Sequence, residues 1–316
     1  MNQKKIIAVV GSTGAQGGGL ARAILDDPTG SFTLRALTRD PKSDKARALA
    51  SRGAEVVAAD VDDPASLERA FAGAYGIFCV TFFWNHFSPE KETAQGRTLA
   101  AAADRSGAAH VVWSTLEDSR HWMALDDPRM PTLQGKYKVP HFDSKGEADA
   151  DFQRLGARAT ILRTSFYWEN FIHFGQGPKP GPDGVLVLGL PLGEGRLPGI
   201  ASEDIGRCTL GIFRRGVEFG GKTVGIAGEM PTGAEMASAF SRALGREVRY
   251  RDVPPEVYRA FGFPGAEDMG NMYQFKRDFN HDYCANRSVE LSRRLNPALQ
   301  SFSGWAEANR DRIPVA

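Results

Sequence analysis

Three glycines near the start of the chain carry the first chemical signal. Gly11, Gly14 and Gly17 recur at every third position of Gly-Ser-Thr-Gly-Ala-Gln-Gly, after an apolar run (6–10) and before a segment with helical spacing (20–25). Strand, glycine turn and helix in that order bring bare backbone N–H groups up to an anion. The turn permits close approach, and a helix N-terminus favours negative charge. The pyrophosphate of a dinucleotide is the anion this arrangement suits. The next alternating segment, 32–38, ends at Arg39-Asp40-Pro41-Lys42. An acidic residue at that strand end binds ribose hydroxyls, whereas an arginine suits an added 2′-phosphate. Arg39 and Lys42 form a cationic pair there, so NADP(H) is favoured over NAD(H). Asp40 has the alternative of turning toward the ribose.

Those residues need a frame to bring them together. The first half alternates strands (6–10, 32–38, 55–59, 77–81, 110–114) with helices (44–52, 64–71, 89–106). This predicts an α/β architecture, a Rossmann-type parallel sheet flanked by helices. Ligands of such sheets lie beyond the carboxyl ends of the strands. That rule collects Gly11 to Gly17, Arg39, Asp60, Thr81 and Ser114 at one edge. Pro128, Pro131, Gly135 and Pro140 then punctuate a Leu116–Pro140 loop long enough to be a functional lid. A helix (142–155) and a strand (158–163) follow. The rest is less regular: a Gly/Pro loop (175–182), a hairpin arm (184–192), an amphipathic helix (232–244), a strand (247–253) and a short helix (255–261). Two interwoven domains are expected, a nucleotide-binding one over 1–165 and a smaller α+β substrate or lid region over 166–316.

Composition excludes several classes. The 316 residues include 39 basic and 38 acidic side chains, a net charge of +1, and this offers no basic excess for nucleic acid. Cys79, Cys208 and Cys284 are odd in number and dispersed, which points to a reducing, cytoplasmic setting rather than a disulfide framework. Cys79 reads as buried filler, with a redox thiol as the lesser alternative for Cys208 or Cys284. The apolar run after the charged opening breaks at Gly11, too soon for a signal peptide or a membrane span. No metal is expected, and the protein is read as a monomer or homodimer.

Around residue 141 the chain becomes recognisable. Val139-Pro140-His141-Phe142-Asp143-Ser144-Lys145-Gly146-Glu147 resembles the corresponding segment of NmrA-like proteins, atypical members of the short-chain dehydrogenase/reductase superfamily. The glycine run, Thr38 to Pro41, Ser165 to Asn170 and Gly262 to Ala266 fit as well, so the resemblance spans nearly the whole chain. It implies that Thr13 and Gln16 join the glycine loop at the pyrophosphate, and that Arg39 and Lys42 hold the 2′-phosphate. Asp60 and Val61 would lie near the adenine. Thr81 and Phe82 would line the ribose and nicotinamide side, and Lys145 would bond the nicotinamide ribose. Tyr167 and Asn170 would border the nicotinamide end. Ala94 departs from relatives that carry lysine there, which puts one cofactor contact in doubt.

Typical superfamily members place Tyr-x-x-x-Lys one helical turn apart. Here the frame is His141-x-x-x-Lys145, on one helix face. An imidazole, or a lysine desolvated beside a cofactor, can still move a proton near neutral pH. Phe82-Phe83-Trp84, Trp122 and Phe166-Tyr167-Trp168 would converge on a planar, aromatic small-molecule substrate, or else serve as core packing. The resemblance thus implies an NADPH-dependent reductase of a carbonyl, enone or quinone. The alternative is a non-catalytic NADPH/NADP⁺ redox sensor acting on a protein partner, with the Leu116–Pro140 loop as its moving part.

Overall fold

Strands covered on both faces need apolar residues at nearly every position, and the short apolar runs 77–80 and 111–113 meet that need, whereas 32–38 alternates. The computed structural model describes residues 4–315. The chain divides into two units. The first runs up to Glu117 and adds Ser144–Arg163 and Ser202–Val224. The second comprises Asp118–Asp143, Thr164–Ala201 and the chain from Gly225 onward. The chain therefore crosses between the units five times.

The first unit is built on β1 (Lys5–Val9), β2 (Phe32–Thr38), β3 (Glu55–Ala58), β4 (Gly76–Cys79), β5 (His110–Thr115) and β6 (Ala159–Arg163). Their order is β6-β5-β4-β1-β2-β3, with all neighbours parallel. The strand β11 (Thr223–Gly225) lies beyond β6 at the edge. Chain order reverses between β1 and β4, and it is at such a switch point that α/β sheets open a ligand crevice. The connecting helices are α1 (Ala15–Leu25), α2 (Asp44–Ser51), α3 (Pro64–Phe71) and α4 (Pro89–Ser106), with α7 (Ser202–Arg215) returning later. Their starts are chemically marked. Ser43, Asp63 and Ser88 accept backbone N–H groups as caps, and proline follows at the first turns of α3 and α4. Beneath α4, the Trp113 ring stacks on Phe152 at 4.4 Å. The helix α5 (Pro140–Gln153) begins in residues of the second unit and continues in the first.

The second unit pairs β7 (Phe166–Tyr167) with β10 (Gly199–Ile200), and β9 (Leu186–Leu190) with β8 (Lys179–Pro180) and β12 (Val248–Asp252). The expected hairpin is β8–β9, which run antiparallel. Its helices are α6 (Asn170–His173), α8 (Gly233–Leu244), α9 (Pro255–Arg259), α10 (Ala266–Asp278), α11 (Asn280–Ala285), α12 (Val289–Leu295) and α13 (Phe302–Ala308). Thr232 and Glu235 form a reciprocal capping box on α8, which gives that segment its sequence legibility. No helix among the described residues is long and apolar enough to cross a membrane.

The segment expected to move as a lid is tied down within the second unit. Met123, Met130, Tyr137 and Lys138 are buried. From α10, Asn271 Nδ2 donates to the carbonyls of Pro131 (2.9 Å) and Lys138 (2.6 Å), and Gln274 Nε2 donates to that of Arg129 (2.7 Å). Lys138 Nζ in turn donates to the carbonyls of Asp127 and Met130.

Within the first unit α1 and α7 touch through glycines. A Cβ on Gly206 would collide with the backbone of Gly19 and Leu20. Because the obstacle is backbone, a rotamer change cannot relieve it. Gly206→Ala should cost about 2–4 kcal/mol in urea unfolding, and an unchanged midpoint would contradict this packing.

Candidate active site

The glycine loop after β1 is shaped by close backbone approaches. Gly11 has φ 66°, and a Cβ there would lie 2.8 Å from the Phe82 ring. A Cβ on Gly17 would meet the carbonyl oxygens of Val10 (2.6 Å) and Gly11, so α1 can rise off β1 this closely only with glycine at that position. Gly14 opens α1 with no side-chain cap and no acidic residue in the first turn. The helix terminus therefore keeps its affinity for an anion. Ser12 donates its hydroxyl to the Leu37 carbonyl (2.9 Å), tying the loop to the end of β2. Thr13 sits half-buried in the turn. Gln16 is buried, and its Oε1 accepts from Ser114 Oγ at 2.6 Å, which joins the loop to the end of β5.

At the end of β2, Arg39 and Lys42 are both exposed. The Asp40 carboxylate accepts the Lys42 N–H at 2.8 Å and shapes the turn. No hydrogen bond or ion pair among the described residues engages the Arg39 guanidinium, which stays available to an external anion. After β3, Asp60 accepts the Asp62 N–H (3.0 Å), and Val61 is buried. The loop thus presents backbone and turn here rather than a free carboxylate.

The strongest electrostatic feature lies past β4. Lys145 Nζ, from α5, donates to Thr81 Oγ1 at 2.6 Å and pairs with Glu92 Oε1 at 2.7 Å. Thr81 Oγ1 donates to the same carboxylate oxygen at 2.5 Å. The Glu92 side chain, from α4, is 0% exposed, and Lys145 lies 5.5 Å from the Trp113 ring centre. A buried carboxylate is tolerated only when paired, and these contacts pair it. Glu92 follows Glu90 and Lys91 on α4, and such a charged run does not by itself set one glutamate apart. His86 approaches its other oxygen, Oε2, at 3.3 Å. Next to His86, Phe87 takes φ 54° and stands edge-to-face with Trp84 at 5.6 Å; both rings are exposed, at 42% and 38%.

The remaining expected residues belong to the second unit. His141 is buried; its Nδ1 lies 2.6 Å from Asp268 Oδ1, and its backbone N–H donates to Oδ2 at 3.1 Å. Asp268 thereby caps the start of α5, and the ring is engaged in that cap. Tyr167 stands half-buried on β7, in register with Ile200, and Asn170 opens α6. The aromatics expected to gather at the nicotinamide divide. Trp168 is buried against Phe302 (5.5 Å) and Trp305 (5.9 Å), and Phe166 against Phe171 (5.1 Å), as core of this unit. Trp122 packs on Phe275 at 5.7 Å. Burial pushes the Cys79 and Cys208 thiols far above their usual range, and it raises Cys284 as well. Such thiols stay protonated and unreactive, which disfavours a redox cysteine.

The profile of the NmrA-like family matches residues 3–306. The chain is 30% identical over 321 residues to the NmrA-like family domain-containing oxidoreductase FrzB of Cladobotryum sp, covering 93% of this chain and 92% of that one. It belongs to the NmrA-like family. Among solved structures, NmrA, a negative transcriptional regulator in complex with NADP, superposes with TM-score 0.79 at 23% identity over 97% of this chain and 95% of that one. Citrobacter sp. triphenylmethane reductase complexed with NADP(H) gives 0.71 at 18% identity over 98% and 100%. At those identities the two likenesses establish the fold.

One buried acid supplies a pH test. Burial pushes Asp149 up from 3.8 to about 6, although Trp113 Nε1 donates to it at 2.8 Å. The folded protein therefore holds a proton there that the unfolded chain has released. The residue then costs stability as pH rises from about 4 to about 6, by at most about 3 kcal/mol. Asp149→Asn, which keeps an acceptor for Trp113, should lose less stability than wild type over that interval in urea titrations. Equal losses in both proteins would contradict the buried charge.

Proposed function

We propose that this protein is an NADP(H)-dependent reductase of a carbonyl, enone or quinone carried on a bulky aromatic molecule. The observation that carries the reading is Lys145 Nζ, held at the end of β4 by Thr81 and Glu92 on the carboxyl edge of the sheet that bears the glycine loop. The residues fit the dinucleotide. Gly11, Gly14 and Gly17 leave room for the pyrophosphate at the start of α1, where Thr13 and Gln16 would contact it. Arg39, unpaired among the described residues, would with Lys42 take the 2′-phosphate, in keeping with the NADP and NADP(H) named for the two solved structures of the same fold. NmrA has also been solved in complex with NAD, so the preference rests on Arg39. The backbone of Asp60 and Val61 would border the adenine, and Thr81, Phe82 and Lys145 the ribose and nicotinamide.

When bound, the reduced nicotinamide supplies a hydride. Lys145 supplies the proton that the developing alkoxide or enolate requires, and its position inside a buried cluster keeps it from wandering into solvent. His141, committed to Asp268, is assigned to positioning α5 rather than to proton transfer. The exposed rings of Trp84 and Phe87 offer a face on which a planar substrate would stack.

A sensor is the second reading. It is favoured by the absence of tyrosine at position 141 and by the likeness to NmrA, a negative transcriptional regulator. It requires differential binding of NADPH and NADP⁺, and a change of mass or partner without turnover.

NADPH oxidation against a panel of quinones and aromatic ketones separates the two. Lys145→Arg retains the ion pair with Glu92 but cannot give up its proton; it should fold normally and lose about 100-fold or more in turnover. No oxidation by wild type of any panel member, with tight NADPH binding, would favour the sensor. Arg39→Glu should weaken NADPH about 10- to 100-fold and leave NADH unchanged in calorimetry. Equal effects on both would remove the NADP assignment.

A further inference from the structure

Between β4 and α4, the segment 82–88 carries the exposed rings of Trp84 and Phe87 past the buried Glu92 carboxylate. A single turn of 3₁₀ helix (Phe83–Asn85) opens it, and Phe87 follows in the left-handed region, φ 54°. A bulky residue stays in that region only where its surroundings hold it there. The N–H groups of His86 (3.1 Å) and Phe87 (2.8 Å) both donate to the Phe83 carbonyl. His86 lies between the two exposed rings in sequence but turns inward, edge-on to the buried Phe83 ring at 6.0 Å. Its Nδ1 accepts the Ser88 N–H at 3.1 Å, so the neutral ring carries its proton on Nε2. That nitrogen faces Glu92 Oε2 at 3.3 Å. Both atoms are buried, and neither has a hydrogen-bond partner elsewhere. A buried donor and a buried acceptor at this separation are costly unless they serve each other. The other carboxylate oxygen, Oε1, is taken by Lys145 and Thr81. One carboxylate thus holds the lysine on one oxygen and the ring-bearing segment on the other.

We propose that His86 is a positioning residue for the substrate: it pins the Trp84–Phe87 platform to the Glu92 carboxylate, and so fixes where an aromatic ring stacked on that platform stands relative to Lys145. The inference rests on the reductase reading and deepens it, by naming the group that sets affinity for the planar part of the substrate. No proton moves along this contact. Glu92 stays an ion-paired carboxylate throughout, and His86 stays a neutral donor. The contact also holds Phe87 in its left-handed conformation, because Ser88 and Glu92 grip the preceding ring from both of its nitrogens. Labour is thereby divided around one carboxylate. Lys145 serves the chemical step, and His86 serves the binding of the aromatic body. Loss of the His86 donor frees the platform while leaving Lys145 its partners on Oε1.

The test has one arm that needs no turnover. The protein contains six histidines, and in ¹⁵N-histidine spectra the signals lost in His86→Gln identify His86. In the cofactor-free protein its Nε2 should be protonated and its Nδ1 bare; the reverse tautomer overturns the proposal. The second arm follows turnover of the aromatic ketones and quinones. It compares His86→Phe, which keeps a ring against Phe83 but has no N–H, with His86→Gln, whose terminal amide still donates toward Glu92. His86→Phe should raise KM about 10-fold, with kcat and NADPH affinity within about 3-fold of wild type. His86→Gln should recover most of that loss. His86→Ala, which also lacks the donor, should repeat the rise and serves in place of His86→Phe if the latter does not fold. A role in folding alone would lower the active fraction and leave KM untouched. That result, or equal KM values in the variants with and without the donor, overturns the proposal. Failure of wild type to oxidise NADPH with any panel member would instead sink the reductase reading, and the His86 tautomer then judges the contact with Glu92.

Discussion

The buried carboxylate of Glu92 is the constraint around which the first unit is arranged. An ionised carboxylate without water is stabilised only by charges and donors brought to it. Thr81 arrives from the end of β4 and Lys145 from α5, while Glu92 itself sits on α4. Three elements far apart in sequence must therefore be held within hydrogen-bond distance of one point. The supporting packing is correspondingly close. Gly96 on α4 leaves room for the Ala148 side chain of α5, and Thr93 donates to the Ser144 carbonyl at 3.0 Å. Removing the lysine would leave the acid stranded, at a cost of about 3–5 kcal/mol. In the proposed reductase, function and stability would be coupled at this point, which is why the charge-preserving replacement is the informative one.

The second unit solves a different problem. Its long segment 118–143 has little regular structure, so its backbone groups need partners elsewhere. Asp143 accepts the Ser119 N–H and hydroxyl on one oxygen and the N–H groups of Lys138 and Val139 on the other. Burial raises it to about 6 all the same, a sign that desolvation outweighs these four donors. The polar face of α10 supplies the remaining bonds. A segment that looks like a lid by length and punctuation is held as part of a scaffold.

How much of this the chain discloses depends on where the partners lie. The strands β1, β4, β5 and β6 were legible as short, mostly buried apolar runs, β2 through its alternation of buried and half-buried residues, and the glycine turn because its spacing reflects a close backbone approach. Lys145 was legible through its resemblance to a family frame. Glu92 was not, since a glutamate in a lysine- and glutamate-containing helix ordinarily faces water. The helix α7 escaped because Gly206 argues against a helix in isolation, yet α1 leaves space there for nothing larger. The helix α10 escaped because Asp268, Asn271, Gln274 and Lys276 are polar and buried at once. The spacing of His141 and Lys145 suggested shared chemistry, but spacing along one helix carries no information about Asp268, 127 residues away.

The central claim is that Lys145 delivers the proton accompanying a hydride transfer at the end of β4. Label transfer tests it most directly. The protein is incubated with NADPH deuterated at nicotinamide C4, separately on each face, together with an aromatic ketone or quinone from the panel, and the product is read by mass spectrometry. The account predicts deuterium at the reduced centre from one face only, with transfer abolished in Lys145→Arg while NADPH binding persists. Bound NADPH with no label in any product, or undiminished transfer in Lys145→Arg, would contradict it.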